Sequence, residues 1–548
     1  MNTLLRRKPL LIAIAGLLLL IGGMVYMNNR AAYTANLDKR IFNLALVGNI
    51  DTLEPALLDS HEERILAAAI YEGLVYYDET SKSIKPLLVS DWKYSSDGRT
   101  LTLNLKRNIK FHNGKSIQAS DVKASWEKSF STTRDWSSIS LFLSIQGSQE
   151  RLDGKTADIS GIQAVNSGTI KLEFKQPNAA FIFMLANPIF WVYDTTDKTE
   201  PASGSGPYQL RESKENQEFL LLRNDSYHRG APGLGGIKAQ VYSEGQEALA
   251  AYQSGNIDYL DSIPLNQLKD IKGNDQYKKL LIDKPVFNVY VLGFNINQEP
   301  FAGNYQLRRA LNYAVDRNLI INEVMGGAYR ASSCIVPLGM AGYQQDMRGY
   351  SYDPQKAQEL LEEAGYPLGQ GLPSLTLTYN EDEGHRRVVE SIAAQLAELG
   401  IKVQLQAVEW DYYKKQLSSM NLSIFRLEWM ADYPDPDSFL YSMFHSSEAG
   451  MGNYFGYHNS QVDKILDASR EEVKSQQERI KLLNRAEQII IDDAPCLFLF
   501  QSTAASLNGQ NTSKLKVDGM HAIDWYEVKL LPPVLDQDDK SSPADERV

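Results

Sequence analysis

Residues 353–405 read DPQKAQELLEEAGYPLGQGLPSLTLTYNEDEGHRRVVESIAAQLAELGIKVQL, and this stretch decides the fold class. Asp353 is placed to cap a helix, because its carboxylate can accept from a backbone N–H of the first turn. Pro354 suits the first helical position, where its missing N–H costs nothing. Gly365 stops that helix, since glycine takes the left-handed conformation freely. The next apolar run, LTLTY at 375–379, alternates as a strand does. Val388, Val389, Ile392, Ala393, Leu396 and Leu399 then share one helix face, and Gly400 ends it. Ile401, Val403 and Leu405 alternate again. Strand, helix and strand joined by short links make an α/β unit with at least partly parallel pairing.

The same grammar extends outward in both directions. Residues 100–105, TLTLNL, predict a half-buried strand. Asn113-Gly114 predicts a turn, and Ser120-Asp121 a cap for a helix running to Phe130, with Val122 and Trp126 four apart on its inner face. A long helix is predicted over 460–491, and PCLFLF at 495–500 reads as a buried strand. No period of 20–50 residues recurs, which excludes a solenoid. With 548 residues the chain exceeds one ordinary domain. The polar tail at 533–548 is expected to be disordered.

Charge divides the chain unevenly. The net charge is −12, yet the first 30 residues hold Arg6, Arg7, Lys8 and Arg30 and no acid, which leaves −16 for the rest. That balance gives no basic face for nucleic acid. Residues 9–27, PLLIAIAGLLLLIGGMVYM, are 19 positions without a charge. As a helix they span about 28 Å, close to the bilayer hydrocarbon core. The basic residues before them favour a cytoplasmic N-terminus and an exported body. An uncleaved transmembrane anchor is preferred to a cleaved signal. Cleavage after Ala35 would put Tyr33 at the −3 place, and cleavage after Ala32 would put Arg30 there. No cysteine follows the run, so a lipoprotein site is absent.

Catalytic patterns fail one by one. Gly114-Lys115-Ser116 lacks the first glycine of a phosphate loop, the position being Ile109. The glycines at 233, 235 and 236 have no third partner at dinucleotide spacing. Ser203 and Ser205 lack the flanking glycines of a nucleophile elbow. His61-Glu62-Glu63 lacks the second histidine of a zinc helix, and the seven histidines are scattered, so no metal site or cofactor is expected. Asp432, Asp435 and Asp437 do not have calcium-loop spacing. The two cysteines, Cys334 and Cys496, make no disulfide framework, and whether they pair is left open.

Several segments, in order, resemble the extracellular solute-binding proteins of peptide ABC transporters, the dipeptide/oligopeptide/nickel-binding family. They are YEGLV at 71–75, GRTLTLNLKRNIKFHNGKSIQASDVKASWEK at 98–128, SGPY at 205–208, SGNID at 254–258, residues 294–316, and EWMADYPDPDSFL at 428–440. The resemblance implies a periplasmic binding protein-like α/β fold. Two large lobes, mixed sheets flanked by helices, would be joined by a smaller one and preceded by the N-terminal transmembrane helix. Lobe one would comprise residues 37–82, 203–290 and 495–532, lobe two 83–202, and lobe three 291–494. It further implies a monomeric, non-catalytic receptor at the periplasmic or cell-surface side of the cytoplasmic membrane. This receptor would bind short peptides and deliver them to an ABC permease and its ATPase. Alternatives on the same fold are haem, a nickel chelate, an antimicrobial peptide or a sugar as ligand, or a membrane-anchored sensor or chaperone.

The resemblance also nominates residues. Asp432 matches the family's ligand-amine aspartate. Arg426 matches a ligand-carboxylate arginine of the oligopeptide-binding branch, with the segment between them extended and pairing with the ligand backbone as an added strand. His385 matches a position that contacts the carboxylates of longer peptides, and Trp410 and Trp429 match pocket-lining aromatics. Met430 stands where some relatives have half of a disulfide. Tyr379 stands where dipeptide-specific members carry an arginine, so tri- to pentapeptides are expected.

Overall fold

The computed structural model describes residues 40–133, 135–513 and 515–531. The apolar segment 9–27 and the tail 533–548 lie outside the described residues. Among those described, no helix is long and apolar enough to cross a membrane.

A twelve-stranded mixed sheet organises the molecule, and one strand, Cys496–Asn508, runs through both of its halves. On one side of it lie, in order, Asn288–Phe294, Ile424–Met430, Leu375–Asn380 and Val403–Val408. On the other side follow Tyr259–Leu260, Ile41–Val47, Gly236–Tyr242, Glu218–Arg223 and Tyr208–Lys214. The long strand pairs with Asn288–Phe294 through Cys496–Phe500 and with Leu281–Pro285 through Thr503–Leu507. The chain therefore passes between the halves twice, at 285–288 and at 500–503, and the two passages lie side by side. Gln501 Nε2 donates to the Val286 carbonyl at 2.7 Å, and the Ser502 N–H donates to Asn288 Oδ1 at 2.9 Å.

The decisive stretch folds as read. Asp353 accepts from the Lys356 N–H at 2.9 Å at the start of helix Pro354–Glu363. Gly365 and Gly400 have φ of +89° and +76°. Leu375–Asn380 and Val403–Val408 pair in parallel around helix Glu383–Glu398, whose inner face is Val388, Val389, Ile392 and Leu396. Every residue of Asn288–Phe294 is buried, as expected of a central strand covered on both faces.

A separate antiparallel sheet, in the order Val89–Tyr94, Thr100–Leu105, Thr169–Glu173, Ile162–Asn166, packs against helix Ala119–Thr132 through fully buried Trp126. Two expectations need correction here. That helix starts ahead of Ser120, and Asp121 sits inside its first turn, where its carboxylate accepts from the Gln118 N–H at 2.9 Å. The long helix over 460–491 is two helices, Ser460–Glu471 and Gln476–Asp493. Glu472 accepts from the Lys474 and Ser475 N–H groups, and Ser475 caps the second helix through the Glu478 N–H. These local bonds offer the backbone an alternative to continuing the helix. Both cysteines are free thiols, and Cys496 is buried.

Candidate ligand cleft

Ile424–Met430, IFRLEWM, is an alternating strand, so its residues split between two faces. Ile424, Arg426, Glu428 and Met430 share one face, and Phe425, Leu427 and Trp429 the other. Along one edge it pairs with Asn288–Phe294 over its whole length, opposing Arg426 to Leu292 and Glu428 to Tyr290. Along the other edge Leu375–Asn380 reaches only Ile424 and Phe425. From Leu427 to Met430 that second edge has no partner strand among the described residues.

A charged group is assembled at the Arg426 end. Arg426 is buried, and its Nη2 lies 2.6 Å from Glu428 Oε2. Its Cζ sits 4.8 Å over the Tyr290 ring, and its Nε is buried without a hydrogen-bond partner. Glu428 also accepts from Asn288 Nδ2 at 2.7 Å. His385 stands beside this group in the first turn of helix Glu383–Glu398, held by Asp382, which accepts from its backbone N–H at 2.9 Å. Burial and the nearby Arg426 charge, opposed by Asp382, bring the His385 imidazole down to about 4. It is therefore neutral at pH 7. Trp410 is half-exposed and stacks 6.1 Å from Tyr413, whose hydroxyl donates to the Arg426 carbonyl.

The opposite end holds Asp432. Trp429 Nε1 donates to the Ser438 carbonyl at 2.9 Å, and the Asp432 N–H donates to Ser438 Oγ at 2.9 Å. Asn187 Nδ2 donates to the Asp432 carbonyl at 2.8 Å. The three aspartates of this loop have different fates. Arg479 grips Asp435 through two contacts of 2.7 Å, and Arg470 holds Asp437 at 2.8 Å. Asp432 makes no ion pair among the described residues. Burial, reinforced by the Asp135 charge and opposed by Arg64 and Ser137, pushes its carboxyl up to about 7. A partly desolvated carboxylate with no ion pair among the described residues can take up an incoming cation.

Of the nominated residues, Arg426, His385 and Trp410 thus gather at one end of the strand, and Trp429 and Asp432 at the other. Trp429 points to the opposite face from Arg426. Met430 is 47% exposed beside the Asp432 loop. A cavity of about 510 Å³ opens nearby, walled by Arg64, Tyr71, Asn187, Trp191, Arg229 and Trp525 among others, but by none of the six. Arg64 and Asn187 belong to both surroundings, so the cavity adjoins the Asp432 loop without containing the strand. Residue-by-residue reading missed Glu428, Tyr290, Asn187, Asp135 and Arg64. Strand alternation alone would have put Glu428 on the Arg426 face; the others come from distant segments and leave no local signal.

A family model described as bacterial extracellular solute-binding proteins, family 5 middle, matches residues 83–451. Heme-binding protein A of Haemophilus influenzae is 26% identical over 449 residues, covering 78% of this chain and 80% of that protein. The oligopeptide-binding protein OppA of Bacillus subtilis is 25% identical over 507 residues, covering 88% and 91%. The periplasmic murein tripeptide-binding protein MppA, in its unliganded open form, superposes with a TM-score of 0.77 at 25% identity, covering 90% of this chain and 97% of that one. The match of the family model across most of the chain, on a fold shared with MppA, makes this protein a member of the bacterial extracellular solute-binding proteins of family 5.

Proposed function

We propose that this protein is the receptor of a peptide ABC transporter, holding a short peptide between its lobes and passing it to a permease driven by an ATPase. The observation that carries the reading is Asp432, a carboxylate with no ion pair among the described residues, beside a strand edge with no partner strand among them. A peptide ammonium at Asp432 would form a charge-assisted bond, and the peptide backbone would pair along 427–430. Six extended residues span roughly 20 Å, which brings the far end of a tri- to pentapeptide toward Arg426 and His385. No bond in the ligand is made or broken. Relatives are named for oligopeptides and for heme. Haem presents two carboxylates and no amine, so an unpaired aspartate favours the peptide.

In this reading the lobes are 37–82 with 203–290 and 495–532, then 83–202, then 291–494, and they close over the ligand as a monomer. Residues 9–27 tether the receptor to the outer face of the cytoplasmic membrane. Retention of the chain in the membrane pellet after alkaline carbonate washing is the expected outcome for the tether.

Calorimetry with a tripeptide pool, comparing wild type with Asp432→Ala, tests the site. Tight binding by wild type and roughly thirtyfold or more weaker binding by the variant are expected, since removing one partner of a buried charged pair costs about 2–5 kcal/mol. Equal binding by both would remove Asp432 from the site. Binding of hemin but of no peptide would replace the ligand class.

A further inference from the structure

Outside the cleft, three distant segments bring titratable side chains together at the start of helix His61–Ile70. His61 and Glu62 open the helix after Ser60, its N-cap. Asp261 follows strand Tyr259–Leu260, with its backbone N–H on the Ala45 carbonyl at 3.1 Å. His61 Nε2 lies 3.0 Å from Asp261 Oδ2, and His61 Nδ1 lies 3.3 Å from Glu62 Oε2. One donor atom from each of the three falls within 4.8 Å of the others. The ring of His521, from the C-terminal loop, is 5.2 Å from that of His61.

The cluster is set into the protein rather than spread on its surface. The Asp261 side chain is 1% exposed and that of Glu62 is 7% exposed. Asp261 Oδ1 has no hydrogen-bond partner. That oxygen is open to a further contact from a cation. Glu62 packs so closely on Gly48 that a Cβ there would lie 2.7 Å from Glu62 Oε1, which holds the carboxylate in place. His61 is 36% exposed and leaves a path from solvent.

We propose that His61, Glu62 and Asp261 bind one divalent metal ion of the zinc class, with the His521 ring beside them. Mixed imidazole and carboxylate donors suit zinc and its borderline neighbours, whereas magnesium and calcium take oxygen sets. The two carboxylates neutralise the ion, and the Arg64 charge, which bears on both rings, is outnumbered. Metal ligation needs an unprotonated ring nitrogen, so the ion competes with a proton on His61. The ion would tie the helix start to the strand end; it does not touch the peptide strand.

The test uses the full-length chain in detergent, carrying no histidine tag and stripped with EDTA. Titration with zinc chloride by calorimetry is expected to give one ion per chain, a higher melting temperature and proton release. Cobalt is expected to bind with the visible absorption of a tetrahedral site. His61→Ala is expected to weaken zinc binding by roughly tenfold or more. If His61→Ala melts early in EDTA, His61→Gln replaces it, since that partly exposed position tolerates an amide. Absence of zinc binding by wild type, or unchanged binding in the His61 variants, overturns the site. Peptide binding measured in EDTA is expected to be unaltered, so a failure here is distinguishable from a failure of the receptor reading.

Discussion

The side-chain amide of Asn187 donates a 2.8 Å hydrogen bond to the backbone carbonyl of Asp432, 245 residues further along the chain. It joins the part of the molecule that carries the four-stranded sheet to the loop that carries the unpaired carboxylate. The other end of the same amide is also committed, because Asn187 Oδ1 accepts from the Ile189 N–H at 2.8 Å. One side chain therefore caps a local turn and fastens a distant loop.

If Asp432 holds the peptide ammonium as proposed, this bond is expected to make a separable contribution to ligand affinity. In Asn187→Ser the hydroxyl can still cap Ile189 but is too short to reach Asp432. A net hydrogen bond contributes about 0.5–1.5 kcal/mol, so peptide affinity is expected to fall roughly three- to tenfold, equally for all peptide sequences. Calorimetry with three unrelated tripeptides checks this. A loss confined to one sequence would mean that Asn187 touches the ligand rather than the loop.

Asp432 predicts a pH dependence with a definite sign. Burial pushes its carboxyl up to about 7, and an adjacent ammonium would stabilise the carboxylate and lower that value. The bound state therefore holds fewer protons than the free state below about pH 7. Affinity is expected to rise with pH up to about 7, by at most about tenfold per unit, and to level off above it. N-acetylated peptides are expected to bind weakly and without this dependence. Calorimetry at pH 6 in two buffers of different ionisation enthalpy reads the proton released. No release with a free-amine peptide would contradict the assignment.

The parts of the molecule that were legible in the sequence are those governed by near neighbours. Asp353, Gly365 and Gly400 act within one turn of where they stand, and the alternation at 375–379 and 401–405 is a property of the strand itself. The break at 472–475 was hidden because apolar periodicity continues across it, while the competing bonds of Glu472 and Ser475 are weak signals. The motif at 428–440 pointed to Asp432. What singles it out from Asp435 and Asp437 is that Arg479 and Arg470, some 33 to 44 residues away, neutralise the other two. That pairing depends on helix Gln476–Asp493 and the end of Ser460–Glu471 docking against the loop, which no local pattern encodes. Likewise Tyr290, Asn187 and Arg64 reach the cleft only through the sheet order.

Arg479 and Asp435 form a buried pair, with the two side chains 1% and 0% exposed. Removing the arginine leaves an uncompensated charge under the loop. Arg479→Met is expected to destabilise the protein by about 3–5 kcal/mol. The double variant Arg479→Met/Asp435→Leu is expected to recover most of that, because no charge is then stranded. Urea denaturation of the three proteins decides it. A double variant no more stable than the single one would place the cost in lost packing of the Arg479 stem against Phe183, whose ring lies 5.6 Å from the guanidinium.

The Arg426 end offers a final, sharper discrimination. Glu428 holds Arg426 at 2.6 Å, so a peptide carboxylate arriving there would compete with a resident carboxylate. Glu428→Gln keeps the shape and the bond from Asn288 but removes the competing charge. Peptides with a free C-terminus are expected to bind roughly three- to tenfold tighter to this variant, in line with about 1 kcal/mol for one partly exposed charge pair. The same peptides with an amidated C-terminus are expected to be unaffected. Arg426→Met is expected to abolish the difference between acid and amide. His385, neutral at pH 7, adds no charge to the comparison but can donate one hydrogen bond. If Glu428→Gln shifts acid and amide alike, Arg426 does not meet the ligand carboxylate, and its pairing with Glu428 over Tyr290 serves only to hold the strand against its neighbour.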